Sequence, residues 1–139
     1  MNALRFFIPA ASTESLIKVI SKIKEKNVTK DSYYEIKLEW DGKNVSKYIL
    51  PEGDTYEFTY DDMMNPFHGL FASREHNWEG DLSENNITKI ISRHWDQYDE
   101  DRLIYTYIGK FPSTQYNAST TTDGNHRYTN TFTYYYEYK

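Results

Sequence analysis

The chain has 139 residues, a net charge of −5 and no cysteine. A domain of about this length buries roughly 68–70% of the surface that its unfolded chain exposes, so it can build a core without cross-links. The lack of cysteine excludes disulfides, thiol catalysis and thiolate metal sites, and it favours a cytoplasmic protein. We therefore expect one domain over residues 1–139, with no membrane-anchoring segment because no apolar run is long enough to cross a bilayer.

The charge is unevenly distributed along the chain. Residues 51–102 hold four Lys/Arg against thirteen Asp/Glu, whereas the segments on either side are slightly basic. Phosphate binding requires a basic footprint that this acidic middle segment lacks, so direct nucleic-acid binding is disfavoured.

The first part of the chain predicts a strand followed by a helix. The strand over residues 4–8 ends at Pro9, and Ser12 is a good N-cap for the helix that follows. Apolar residues then recur at helical spacing, at Leu16, Val19, Ile20 and Ile23.

Three alternating segments come next, over residues 33–40, 45–50 and 55–60. Alternation of apolar and polar residues is typical of strands with one buried face. Turn residues separate the segments, so they predict an antiparallel meander.

Two further helices are predicted in the middle of the chain. A short one over residues 66–74 begins at Asn65-Pro66, and a longer one is capped by Ser83 and carries a stripe of Ile87, Ile90, Ile91 and His94. We expect His94 to be a core-edge histidine that bonds to a nearby acid or carbonyl.

The last third predicts two strands, over residues 103–108 and 127–138, joined by a Ser/Thr/Asn/Gly-rich loop over residues 110–126. The order β-α-β-β-β-α-β-β then predicts an α+β fold, a mostly antiparallel sheet of five to six strands with two main helices on one face.

Sequence signatures of catalysis are lacking. There is no paired His-x-Ser/Thr, no Gly-x-Ser-x-Gly elbow, no phosphate-binding glycine loop and no short-spaced histidine pair for a metal. We therefore predict no metal and no cofactor and favour a protein that is not an enzyme. The weak catalytic candidates are Glu75 and His76, in the irregular middle segment.

The preferred hypothesis is a binding or inhibitory protein that engages a basic partner protein through an acidic surface with aromatic anchors. Acids steer a basic partner, and Tyr and Trp supply interface hot spots. The candidate residues come from the acidic middle of the chain: Asp61, Asp62, Trp78, Glu79, Tyr98, Asp99, Glu100 and Asp101. This composition is also typical of small acidic phage and mobile-element proteins, such as anti-defence inhibitors and immunity proteins, although no motif of such a family is present.

Two alternatives stay open. The chain could bind a small anionic molecule such as a nucleotide, through Arg74, Trp78, Arg93, Arg127 and Tyr128. An enzyme of another kind is the third hypothesis. The Tyr-rich last strand could also form a sheet edge that pairs with a second copy as a homodimer.

Overall fold

A computed structural model describes residues 2–6, 22–27, 32–68 and 82–138, and every element in these ranges is a β-strand. The strands, in chain order, are β1 (Asn2–Phe6), β2 (Lys22–Asn27), β3 (Ser32–Asp41), β4 (Asn44–Ile49), β5 (Thr55–Met64), β6 (Asn85–His94), β7 (Gln97–Ile108), β8 (Phe111–Asp123) and β9 (His126–Tyr135).

The strands form a single sheet in the order β1-β2-β3-β4-β5-β6-β7-β8-β9, with every neighbouring pair antiparallel. Each strand therefore pairs with the strands that precede and follow it in the chain. This is the meander that the three alternating segments predict, and the predicted strands over residues 33–40, 45–50 and 55–60 are confirmed as β3, β4 and β5.

The core lies on one face of the middle strands, which we call the inner face. Its buried apolar residues come from β3 to β6 and from the segment before β6: Ile36, Leu38, Val45, Phe58, Leu82 and Ile87. Ile90 and Leu103 pack against them from β6 and β7. Successive residues of a strand point to opposite faces. The charged side chains that alternate with these core residues therefore lie on the opposite, outer face.

The prediction of an α+β fold is wrong, since the described residues form an all-β sheet. The helix predicted from Ser83 to His94 is strand β6. Isoleucine and threonine favour strands over helices, because their branched side chains are restricted in a helix but pack well on a pleated sheet.

A β-bulge explains why β6 has helical spacing in its sequence. Thr59 pairs with Lys89 and Tyr60 pairs with Ile87, so Thr88 is an extra residue in β6. The bulge lets Ile87 and Ile90, three residues apart, both contact the core, whereas an uninterrupted strand would place them on opposite faces. A spacing of three therefore reflects an irregular strand here.

Other predictions fall partly or wholly outside the described ranges. Of the first predicted helix, Leu16, Val19 and Ile20 lie outside them, while Ile23 belongs to β2. Of the short helix over residues 66–74, residues 66–68 form a turn and the rest lie outside the described residues.

The predicted loop over residues 110–126 is also wrong. Residues 111–123 form β8, which pairs along its length with β7 on one side and with β9 on the other. Its Ser, Thr and Asn residues resemble a loop in composition, but threonine is a good strand former. The last strand, predicted over residues 127–138, is confirmed as β9 with an end at Tyr135.

The middle strands of the sheet carry the buried apolar residues, whereas β9 at its C-terminal side is exposed to solvent. All ten residues of β9 are exposed. Among the described residues there is no helix that is both long and apolar enough to pass through a membrane.

Candidate functional site

Trp95 stands at the tip of the β6–β7 hairpin with an unusual backbone. Four hairpins of the sheet have two-residue turns, and in each the first turn residue has a positive φ: 60° at Gly42, 49° at Trp95, 62° at Gly109 and 54° at Gly124. Glycine adopts this conformation without a Cβ clash, so it is the usual residue at this position. Trp95 is the non-glycine exception among the described residues.

The conformation of Trp95 is costly. A side chain in the left-handed region costs about 1–2 kcal/mol relative to the right-handed one. The indole recovers little of this through packing, because Trp95 is 96% exposed. Its backbone strain and exposure are therefore not explained by the stability of the fold, and such outliers concentrate at functional sites.

His94, the residue before this turn, connects two other side chains through hydrogen bonds. The His94 Nδ1 atom is 2.8 Å from Asp54 Oδ2, and its Nε2 atom is 3.1 Å from the Tyr56 hydroxyl. Tyr56 in turn stacks on Tyr48, with ring centroids 4.2 Å apart. His94 is thus the core-edge histidine that bonds to an acid, as predicted, although it ends a strand and not a helix. These hydrogen bonds hold His94, the residue of β6 that precedes the Trp95 turn, against Asp54 and Tyr56.

Carboxylates surround this end of the sheet on the inner face. Gln97 pairs with Asp123, so the turns at residues 95–96 and 124–125 lie side by side. Asp99 and Asp101 follow on β7, on the same face as Leu103. Gln97 donates an amide hydrogen bond to Asp99 at 3.1 Å. Over β7, β8 and β9 the inner face carries no Lys or Arg, and the basic side chain it does carry is His126, opposite Asp123.

Exposed aromatic rings complete this region. Tyr128, Phe132 and Tyr134 alternate along β9 on the inner face and are each more than half exposed. We call the Trp95–Asp96 turn, together with the carboxylates and aromatic rings of the inner face, the acidic–aromatic surface; it consists of Trp95, Asp96, Asp99, Asp101, Asp123, Tyr128, Phe132 and Tyr134.

The outer face is different, because its acids are paired with cations. Glu57 bonds to Arg93 at 2.8 Å and lies 3.7 Å from Lys47. Glu100 accepts a hydrogen bond from Arg102 at 2.6 Å, and this contact is the main cause that lowers the pKa of Glu100. The outer face is therefore electrostatically balanced along these strands.

Tyr98 links the two ion pairs of the outer face. The Arg93 guanidinium lies 5.6 Å from the Tyr98 ring centre, and the Tyr98 hydroxyl donates to Glu100 at 3.1 Å. Burial raises the pKa of Tyr98, and the hydrogen bond to Glu100 adds to the effect.

A cleft of about 460 Å³ opens on the outer face beside these pairs. It is lined by residues of β7, β8 and β9: Tyr98, Glu100, Arg102, Ala118, Thr120, Thr122 and Arg127. Its two guanidinium groups, of which that of Arg102 is paired with Glu100, and its two threonine hydroxyls are groups that bind anions.

Asp61 has a structural environment. Its Oδ1 atom accepts the backbone N–H of Met63 at 3.0 Å and of Asn86 at 3.1 Å, and its Oδ2 atom accepts the Tyr107 hydroxyl. Burial raises the pKa of Tyr107, and the bond to Asp61 raises it further. Asp61 is therefore occupied within the fold, whereas Asp62 beside it is exposed.

This network closes a gap in the sheet. The ladder between β6 and β7 begins at the pair of Lys89 and Arg102, so β7 diverges from β6 beyond that point. The Tyr105 hydroxyl donates to the Ile87 carbonyl at 2.9 Å across the gap. Tyrosine side chains therefore replace ladder hydrogen bonds here.

The structure separates several of the residues that the sequence groups together. Asp99 and Asp101 lie on the inner face, whereas Tyr98 and Glu100 lie on the outer face, since neighbouring residues of β7 alternate. Of the alternative ligand set, Arg93 and Arg127 lie on the outer face and Tyr128 on the inner face.

Several candidate residues lie outside the described residues: Arg74, Glu75, His76, Trp78 and Glu79. Within the part of the chain that the structure describes, no three His, Asp or Glu side chains come close enough to hold a metal ion.

Trp95 is a candidate site residue that the sequence alone does not predict. Tryptophan is not a turn former, so nothing in its neighbourhood predicts a two-residue hairpin at residues 95–96. The pairing of β6 with β7 shows that residues 95–96 form a two-residue turn. Trp95 is then unusual, because the three equivalent turn positions are glycine.

Comparisons with known proteins give no relative. No protein-family model, no curated protein sequence and no solved structure matches the chain.

Proposed function

We propose that this chain is a non-catalytic binding protein that docks its acidic–aromatic surface onto a basic surface of another protein. The observation that carries the proposal is Trp95, which is almost fully exposed and held at a φ of 49°. Tryptophan is strongly enriched among interface hot spots, because burying it in a partner removes a large apolar area from water.

The charge of the surface argues for a basic partner. Asp96, Asp99 and Asp123 lie around the Trp95 hairpin. Carboxylates at the rim of an interface accelerate association with a cationic surface and disfavour an anionic one. Residues two apart on a strand are about 7 Å apart, so Asp99 and Asp101 match basic residues at alternate positions of an extended segment.

Substitution of Trp95 separates binding from folding. Trp95→Gly removes the anchor and also the strain, so the variant should be about 1 kcal/mol more stable than the wild type. Tagged wild type and variant are incubated with lysate of the cells that produce the chain, and the bound proteins are quantified by mass spectrometry. We expect a basic partner whose recovery falls at least tenfold with Trp95→Gly.

Charge variants provide the matched control. Asp99→Asn with Asp123→Asn should reduce recovery of the same partner and weaken its dependence on salt. Glu57→Gln with Glu100→Gln makes the same change in net charge on the outer face and should leave recovery unchanged. Equal recovery by the wild type and Trp95→Gly, with the glycine variant folded, would contradict the proposal.

The outer-face cleft supports a second candidate function, the binding of a small anionic molecule. Arg127 and Arg102, the second of which is paired with Glu100, supply the positive charge, and the Thr120 and Thr122 hydroxyls can donate to phosphate oxygens. This function would leave the inner face unused, so the two candidates differ in the face on which substitutions have an effect.

A further inference from the structure

Strand β9 is the outermost strand of the described sheet, and no other described strand lies beyond it. Among the described residues it pairs with β8 alone, over ten consecutive positions without a bulge. Its ten residues contain no proline and no lysine, and all are exposed. Natural edge strands are normally protected by such residues or by irregularity, because an open edge pairs readily with another strand.

The backbone N–H and C=O groups of β9 alternate between β8 and the outer edge. Asp123 and His126 flank a two-residue turn and pair with each other, and further along Tyr136 N–H donates to the Ser113 carbonyl at 3.0 Å. Even-numbered residues therefore bond to β8, since the hydrogen-bonding direction alternates along an antiparallel strand. The backbone groups of five odd-numbered residues point away from the sheet: Arg127, Thr129, Thr131, Thr133 and Tyr135.

The charges along β9 and the segment after it are self-complementary. Residues 127–138 contain one cation, Arg127, and one anion, Glu137. In an antiparallel pair of identical strands, a residue at position n lies opposite position 264 − n when Phe132 is the centre. Arg127 of each copy then faces Glu137 of the other, and odd-numbered residues face odd-numbered residues, as the outward backbone groups require.

We propose that two copies of this chain associate through their β9 edges as an antiparallel pair centred on Phe132, which joins their two sheets into one. Phe132 then lies opposite its counterpart at a non-hydrogen-bonded position, where Cα atoms approach to about 4.5 Å. Aromatic pairs at such positions stabilise a sheet. The contact is isologous, so the association closes at two copies.

The same arrangement places the inner faces of both copies on one side of the joined sheet. The twofold axis runs perpendicular to the strands and to the sheet, so side chains at equivalent positions remain on equivalent faces. Tyr128, Phe132 and Tyr134 of both copies then form one continuous aromatic surface. The inference is independent of the proposed partner, because it rests on the β9 edge and not on Trp95.

The oligomeric state is measured by sedimentation equilibrium with the full chain. The wild type should have twice the mass of one chain. Thr131→Pro removes an outward N–H group without removing a bond to β8, so it should give a folded monomer by circular dichroism. A monomeric wild type, or a dimer that Thr131→Pro does not affect, would overturn the proposal.

Charge exchange tests the register. Arg127→Glu alone places two glutamates opposite each other and should raise the dimer dissociation constant at least tenfold, as should Glu137→Arg alone. The double variant restores opposite charges and should dimerise like the wild type. Failure of the double variant to recover would refute the register centred on Phe132.

Cysteine substitution gives an independent measurement, which is clean because the chain has no cysteine of its own. Phe132→Cys should form an intermolecular disulfide under copper–phenanthroline oxidation, since the two Cβ atoms face each other. Asn130→Cys is the matched control, because its counterpart in this register is Tyr134. Efficient crosslinking at position 130 instead of position 132 would also refute the register.

Discussion

Ser83→Ala should be one of the most destabilising conservative substitutions in the sheet. Ser83 and Val45 are both fully buried, and the Ser83 hydroxyl accepts the Val45 N–H at 3.0 Å. The same hydroxyl donates to the Tyr60 hydroxyl at 2.9 Å, and Tyr60 donates in turn to the Val45 carbonyl at 2.6 Å. Alanine removes the Ser83 hydroxyl from this triangle of hydrogen bonds, of which the bond to Val45 is buried.

The cost follows from the groups left without partners. A buried N–H without an acceptor costs about 1–3 kcal/mol, and the lost bond to Tyr60 adds about 1 kcal/mol. The free energy of unfolding should therefore fall by about 2–4 kcal/mol. For a domain of this length, Tm should fall by roughly 10 °C.

Urea denaturation followed by circular dichroism measures this loss, and two further variants test its cause. Tyr60→Phe should cost about 1–2 kcal/mol, and the double variant should cost about 1 kcal/mol less than the sum, because the two share one hydrogen bond. Ser92→Ala is the control, a buried serine of β6 for which the structure describes no side-chain hydrogen bond. The reasoning is refuted if Ser83→Ala costs no more than Ser92→Ala, or if the double variant is additive.

Two other predictions concern the tyrosines and the outer-face cleft. Burial raises the pKa of both Tyr105 and Tyr107 above their ordinary value of 10.0. The folded state therefore holds these protons more tightly than the unfolded state, and the stability they contribute, complete below pH 10.0, is lost as the pH rises beyond it. Tyr107→Phe should lose stability less steeply above pH 10.0, and a slope equal to that of the wild type would contradict this. In a thermal-shift screen of phosphate and nucleotides, a ligand that binds the cleft should raise Tm of the wild type but not of Arg102→Gln, and equal shifts would exclude the cleft as its site.

The sequence predicts the strands well where alternation is regular and polar turns are short. Residues 33–40 and 55–60 alternate cleanly, so β3 and β5 follow from pattern alone. β9 follows for the same reason. Strand β4 contains a bulge at Ser46 and follows from the Gly and Pro turns on either side of it. In these segments local propensity and burial favour the same structure.

The pattern fails where the sheet is irregular or polar. The bulge at Thr88 gives β6 a spacing of three that resembles a helix. In β8 the residues that pair on both sides are mainly Ser, Thr and Asn, so no apolar period marks the strand. Both errors have the same origin, because pairing between strands is a long-range property that a single segment does not encode.

The candidate site was predictable in chemistry but not in position. The sequence identifies an acidic middle segment with aromatic residues, and Asp99 and Asp101 do lie on the face that carries exposed rings. It does not show that Glu100 turns to the opposite face or that Asp61 is held by Asn86 and Tyr107. These assignments depend on strand register, which shifts every side chain to the other face when it changes by one residue.

The strictly sequential order of the strands also affects how the protein is made. Each strand finds its partner in the segment synthesised just before it, so the sheet can grow by one hairpin at a time as the chain leaves the ribosome. At about 5–20 residues per second, a strand of β8 or β9 length follows its predecessor within one to a few seconds. During that interval each newly formed strand is a temporary border of the sheet. β9 is the last strand that the structure describes in this series, and no later described strand closes its border.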